Sequence, residues 1–376
     1  MRVALGVYAD APSGLAVGTV DTALALDRAG AEVTLFALGE STLPPRAEPL
    51  RDRVVRLSRA PLQGRAGSTA LFLPSRLAAS ARFAQALEGR SFDVVHVFSP
   101  GMAARVPPGF RLSVQAWFHP PLLPARLRTM LPFTARKALY PAALMLQTQA
   151  HLADLAGYRR ADLVIANTAV AREAMVARGL HSVCVPPAIE VAGEPPERKP
   201  SDAFRIAFCS HPLGGKRKGL RFLLEALPAV RHRPLEVTLV GGEDPRFGPA
   251  LQRVREAGVE LTLTGRLPRE AYLDRLAHET DLLAFPSLYE EWGYAVFEAL
   301  GAGVPVLAFD LYPFSEIIEE RTGLLVAPRD EEALARAIDR AAAGDLPTPA
   351  VVHETTRERF GSAAVAARLL EAWGQW

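Results

Sequence analysis

The chain has 376 residues, 49% of them hydrophobic and 22% charged, which is more than one ordinary core organises and fits a folded protein of about two domains. With 28 Gly and 31 Pro it is no low-complexity chain. Its two cysteines, Cys184 and Cys209, exclude a disulfide framework or a multi-cysteine metal centre and point to a reducing, cytoplasmic compartment. The net charge of +2 conceals an asymmetry, with +8 over residues 1–200, −6 over 201–376 and +11 within 41–150.

In chain order, Arg2 to Ala9 reads as a buried strand and Asp10 to Gly14 as a turn. Val17 to Ala29 has helical periodicity closed by Gly30, and Glu32 to Leu38 is the next strand. The apolar run from Val3 stops at Asp10, too short for a signal peptide, and nothing approaches the ~20 apolar residues of a membrane span. Further strands are expected at Asp93–Phe98, Arg111–Phe118 and Asp162–Ala166. The segment 191–203 holds three prolines among charged residues and reads as a linker. Beyond it, strands at Phe204–Cys209, Glu236–Val240, Glu260–Leu263, Asp281–Phe285, Val304–Ala308 and Gly323–Ala327 alternate with helices at Leu220–Val230, Pro268–His278, Tyr294–Ala302 and Glu331–Ala342.

Short apolar strands alternating with helices imply parallel sheets covered on both faces, here two Rossmann-like α/β domains with ligands beyond the carboxyl ends of the strands. The expected division is an N-terminal domain over 1–190, the linker 191–203, a second domain over 204–355, and a segment 356–376 whose apolar stripe (Val365, Leu369, Leu370, Trp373) suits a helix crossing back to the first domain.

The sharpest constellation runs from Phe285 to Pro305. A strand ends at Phe285 and a helix begins near Gly293, so the intervening loop presents backbone N–H groups to an anion, and the absent Cβ at Gly293 permits close approach. Glu290 and Glu298, separated by seven residues, can accept hydrogen bonds from two sets of vicinal hydroxyls on one extended ligand. On spacing alone, Glu290 and Glu291 equally suit the bland role of complementing the helix dipole.

The run Pro286-Ser287-x-x-Glu290-x-x-Gly293-x4-Glu298-Ala-x-x-x-Gly303-x-Pro305 resembles the E-x7-E signature of the retaining nucleotide-sugar glycosyltransferases of family 4, which have the GT-B fold. The resemblance extends in the right order over residues 1 to about 340: Gly14 in the N-terminal loop, Asp93-Val-Val-His96, Phe118-His119, Lys218-Gly219, Val240-Gly241 and Gly265-Arg266-Leu267. It implies two domains facing each other across a cleft. The activity implied is that of a hexosyl- or related glycosyltransferase, using a nucleotide diphosphate sugar and an acceptor hydroxyl.

Position by position, the resemblance implies that Glu298 binds the donor's ribose. Glu290, with the backbone around Gly293 and Tyr294, holds the transferred sugar. Lys218 neutralises the departing diphosphate, while Gly14, Gly241 and Arg266 contribute to donor binding. His119 lines the reacting centre, its alternative being a core histidine at a strand end; His96 reads as structural. No cofactor or metal is implied, and no Asp-x-Asp pair stands out.

Two departures from the family pattern matter. Its arginine ahead of the Lys-Gly pair is missing here, with His211, Lys216 and Arg217 as candidate replacements, and bulky Tyr312 and Phe314 stand where relatives carry glycines. The basic stretch within 41–150 (Arg51, Arg53, Arg56, Arg59, Arg65, Arg126, Arg128, Arg136, Lys137) suits either a solvated surface or peripheral contact with an anionic membrane at its inner face. It carries no nucleic-acid-binding motif. Another GT-B enzyme such as an epimerase, and a non-catalytic nucleotide-sugar-binding partner, are the competing functions. A dehydrogenase is disfavoured because the first strand leads to Asp10-Ala-Pro-Ser-Gly14 rather than G-x-G-x-x-G.

Overall fold

The computed structural model describes residues 1–8, 14–38, 45–57, 73–116, 152, 154–210, 213, 215–242, 244–290 and 292–376. They form two compact units, one of Met1–Ile189 with Phe360–Trp376, the other of Glu190–Arg359.

The first unit is built on seven parallel strands: β1 (Arg2–Tyr8), β2 (Glu32–Leu38), β3 (Val54–Leu57), β4 (Val94–Val97), β5 (Leu112–Ala116), β6 (Leu163–Ala166) and β7 (Ser182–Cys184). Their order is β3-β2-β1-β4-β5-β6-β7. Every residue of β4, β5 and β6 is buried, as a parallel sheet covered on both faces requires. The helices α1 (Gly14–Arg28), α2 (Leu73–Leu87) and α3 (Ala169–Val176) belong to this unit. Phe83 of α2 packs edge-on against Phe36 of β2, with ring centroids 5.4 Å apart, and lies against Gly6, where an added Cβ would come within 3.0 Å of its ring.

The second unit repeats the plan with β8 (Phe204–Cys209), β9 (Leu235–Val240), β10 (Glu260–Gly265), β11 (Leu282–Phe285), β12 (Val306–Phe309) and β13 (Gly323–Val326), all parallel. The order is β10-β9-β8-β11-β12-β13. Between the strands and after them run α4 (Leu220–Ala226), α5 (Gly248–Glu256), α6 (Arg269–Glu279), α7 (Tyr294–Gly301), α8 (Phe314–Ile317), α9 (Glu331–Ala342) and α10 (Pro349–Phe360). Asp330 caps α9 by accepting from the Ala333 amide at 2.7 Å, and the buried Leu334, Ala337, Ile338 and Ala341 turn its apolar stripe to the core. The proline-rich segment 191–203 is tied to this unit: Lys199 pairs with Glu279 at 2.6 Å, and Arg198 donates to the Gly303 carbonyl at 2.8 Å.

The last helix, α11 (Ser362–Gly374), belongs to the first unit, where it packs on α1. Trp373 is fully buried and its indole Nε1 donates to Ser113 Oγ at 3.2 Å. Ser113 Oγ is in turn 2.9 Å from His96 Nδ1. Arg111 of this unit donates to the Trp373 and Trp376 carbonyls and lies 4.7 Å over the Trp376 ring. Among the described residues no helix is long and apolar enough to cross a membrane.

Candidate active site

In the second sheet the chain runs outward from β8 to β9 and β10, then returns to place β11 on the other side of β8. The reversal opens a crevice at the carboxyl ends of β8 and β11, the usual ligand position in such a sheet. The loop after β8 brings Lys216, Arg217, Lys218 and Gly219 to this point, and the loop after β11 brings Ser287 and Glu290. The two loops are stitched together. The Arg217 carbonyl accepts from the Leu288 amide at 2.7 Å, and Arg217 Nη1 donates to the Tyr289 carbonyl at 3.0 Å. Gly219 is left-handed (φ 81°), and a Cβ there would stand 1.9 Å from the Pro286 carbonyl oxygen. Only glycine permits this approach.

The stitching delivers cations to a buried carboxylate. Glu290 is 5% exposed, with Lys218 Nζ 2.6 Å from Oε1 and Arg217 Nη1 3.3 Å from Oε2. The Ser287 hydroxyl lies 2.9 Å from Oε1, and this charged acceptor is a stronger claim on its single proton than the nearby Arg217 and Tyr289 carbonyls. The Lys218 ammonium also sits 5.1 Å over the Phe285 ring. A carboxylate this deep is tolerable only with such partners. Glu290 is thus a buried carboxylate paired with two cations at the carboxyl ends of the strands.

Gly293, left-handed at φ 85°, precedes α7. Trp292 and Phe297 flank the helix start as stacked rings 4.4 Å apart, a hydrophobic staple that fixes the direction in which the chain enters α7. Phe314 is buried beneath this turn, edge-on to Phe285, and its ring would lie 3.0 Å from a Cβ on Gly293. The bulky residue that replaces a glycine of the family pattern thus supports the loop from below.

On the second turn of α7, Glu298 pairs with Arg269, the first residue of α6, at 2.8 Å. Beside them lie Cys209, at the end of β8, and Tyr272, one turn along α6. Burial pushes the Cys209 thiol up to about 11 and raises the Tyr272 phenol well above its ordinary value, so both are neutral.

Gly241 follows β9 in a glycine-only conformation (φ 148°), where a Cβ would meet the Ser210 carbonyl at 1.9 Å. Arg266 follows β10 and is exposed, as is Lys216, whereas Tyr294 opens α7 half-buried. Of the candidate replacements for the missing arginine, Arg217 reaches Glu290, Lys216 does not figure among its partners, and His211 lies outside the described residues. His119 and Glu291 also lie outside them; Gly14 begins α1, and the rest of the turn expected over 10–14 is outside the described residues. His96 is fully buried against Phe98 and Trp373, and burial lowers its pKa to about 3. It is a core residue. Of the basic residues between 41 and 150, Arg51 and Arg53 pair with Glu48 and Asp27, while Arg59, Arg65, Arg126, Arg128, Arg136 and Lys137 fall outside the described residues.

Residues 13–188 match the family model "Glycosyl transferase 4-like domain" and residues 203–343 match "Glycosyl transferases group 1". The whole chain superposes on sucrose-phosphate synthase from Thermosynechococcus elongatus with a TM-score of 0.72 at 21% identity, covering 100% of this chain and 98% of that one. The chain has the GT-B fold and is built from two glycosyltransferase domains. Anabaena HepE in complex with UDP-glucose shares this GT-B fold at a TM-score of 0.68 and 18% identity, with 100% of both chains covered. By sequence, the putative teichuronic acid biosynthesis glycosyltransferase TuaC of Bacillus subtilis is 31% identical over 148 residues, 39% of this chain and 36% of that protein. The alignment therefore spans about a third of this curated relative.

Arg269, Ser287 and Tyr272 escape the sequence reading. Ser287 stands inside the recognised run, but the partner of Arg269 is remote in sequence and no local spacing announces it.

Proposed function

We propose that this chain is a retaining glycosyltransferase that moves a sugar from a nucleoside diphosphate sugar to an acceptor hydroxyl. The observation that carries the reading is the convergence of Lys218 and Arg217 on the buried Glu290 at the switch point of the second sheet. The UDP-glucose held by HepE agrees with the donor class.

In this reading the ribose hydroxyls donate to Glu298 and the transferred sugar's hydroxyls to Glu290. The diphosphate lies between the α7 turn and Lys218, with Arg217 as the second cation in place of the missing arginine. The bond from the anomeric carbon to the phosphate oxygen breaks, and the acceptor oxygen forms its bond on the same face. The acceptor proton passes to the departing diphosphate. Negative charge grows on that group as the bond breaks, so a fixed ammonium acts chiefly in the transition state. Lys218, held by Glu290 and Phe285, is such a group. The protein's own cations and the α7 amino end supply the charge that the reaction needs, and no metal has a part in it.

A thermal-shift panel of UDP-, GDP- and ADP-sugars, followed by release of the nucleoside diphosphate from the best binder, tests the proposal. A stabilising donor that is consumed only with an acceptor supports transfer. Binding without turnover would demote the chain to a donor-binding partner, and product without acceptor would indicate an epimerase.

A further inference from the structure

We propose that Arg269 is a positioning residue that fixes Glu298 for the donor's ribose, an inference that rests on the role of Glu298 proposed above. Arg269 Nη1 lies 2.8 Å from Glu298 Oε1, with side chains 30% and 18% exposed. That shielding sets the pair apart from an ion pair such as Arg51–Glu48, whose side chains are 76% and 70% exposed and which contributes little. Arg269 Nε and Nη1 are both sequestered from water and find no well-aligned hydrogen-bond acceptor among the described residues. The guanidinium therefore acts on Glu298 as a positive charge at contact distance from the head of α6.

The neighbours reinforce this seat. Tyr272 is buried one turn along α6, beside Cys209. Both are neutral, while the positive charges of Lys218 and Arg269 act on Cys209 and Tyr272 respectively. A glutamate on a helix surface otherwise samples several rotamers, and a vicinal diol binds best when the carboxylate is already oriented. Fixing it before the ligand arrives lowers the ordering cost of binding. Arg269 touches no reacting atom, so its effect falls on donor affinity and on discrimination for ribose.

Calorimetric titration of UDP and 2′,3′-dideoxy-UDP into the wild type and the R269M, R269K and E298Q variants tests this, with the GDP pair used if the protein responds to GDP instead. The wild type should prefer UDP over the dideoxy ligand by about 10- to 100-fold, as hydrogen bonds to a carboxylate warrant. R269M should lose about tenfold in UDP affinity while binding the dideoxy ligand within twofold of wild type. R269K should recover part of the loss, and R269M combined with E298Q should bind UDP no more weakly than E298Q alone. Equal weakening toward both ligands, or an undiminished ribose preference in R269M, overturns the inference and leaves the donor reading standing. A wild type that binds neither UDP, GDP nor ADP refutes the donor reading and this inference with it.

Discussion

Replacing Lys218 with Ala removes the ammonium 2.6 Å from Glu290 Oε1 and separates two consequences. The first is structural. Glu290 is 5% exposed, and removing one partner of a buried ion pair costs about 3–5 kcal/mol. Arg217 at 3.3 Å and the Ser287 hydroxyl remain, so about 2–3 kcal/mol is expected here. The second is kinetic: loss of one preorganised charge facing the leaving group costs about 3 kcal/mol of transition-state stabilisation, roughly a hundredfold in turnover. Urea unfolding of K218A, E290Q and the double variant reads the first effect. Since E290Q removes the charge that K218A strands, the double variant should be more stable than the two single losses sum to, by about 2 kcal/mol. Nucleoside diphosphate release at saturating donor reads the second. Additive unfolding energies within about 0.5 kcal/mol, together with turnover within threefold of wild type, would rule out both roles for Lys218.

Three further outcomes are expected. Gly219→Ala places a Cβ 1.9 Å from the Pro286 carbonyl at φ 81° and should destabilise the second unit by about 2–4 kcal/mol, measured by urea unfolding. Glu298→Ala should raise the donor KM about 10- to 100-fold with kcat within threefold, because a ribose contact is made alike in ground and transition states; a loss confined to kcat speaks against ribose binding. His96, with a pKa near 3 in the fold against 6.5 when unfolded, stays neutral while the unfolded chain takes up a proton. Stability from this residue is whole above pH 6.5 and falls as pH drops toward 3, by about 2 kcal/mol at pH 5. An H96F variant should show a flatter profile between pH 7 and 5.

Much of the second unit was legible because its central strands are buried on both faces and so read as unbroken apolar runs. Phe204–Cys209 appears at its observed bounds, and Glu331–Ala342 is marked by its Asp330 cap and apolar stripe. The missed strands lie at the two edges of the first sheet: Val54–Leu57 carries an exposed Arg56, and Ser182–Cys184 has only three residues. Edge strands need no continuous apolar pattern. The helix Gly248–Glu256 opens with Gly-Pro, which reads as a turn, and fully buries only Val254. At the site, the Glu290–Glu298 spacing and Lys218 were visible in the sequence. Their seating was not, since Arg217 meets Glu290 and Arg269 meets Glu298 only once the sheet has reversed direction and set the loops side by side. The same topology distinguishes Arg217 from Lys216, which adjacency in the sequence cannot do.

In the proposed function the carboxyl ends of β8 and β11 hold a nucleoside diphosphate sugar. A crystal grown with the donor selected by thermal shift tests it most directly. The ribose hydroxyls are expected on Glu298 and the diphosphate against Lys218 and the first turn of α7. A nucleotide bound elsewhere, or one whose ribose leaves Glu298 untouched, would contradict it.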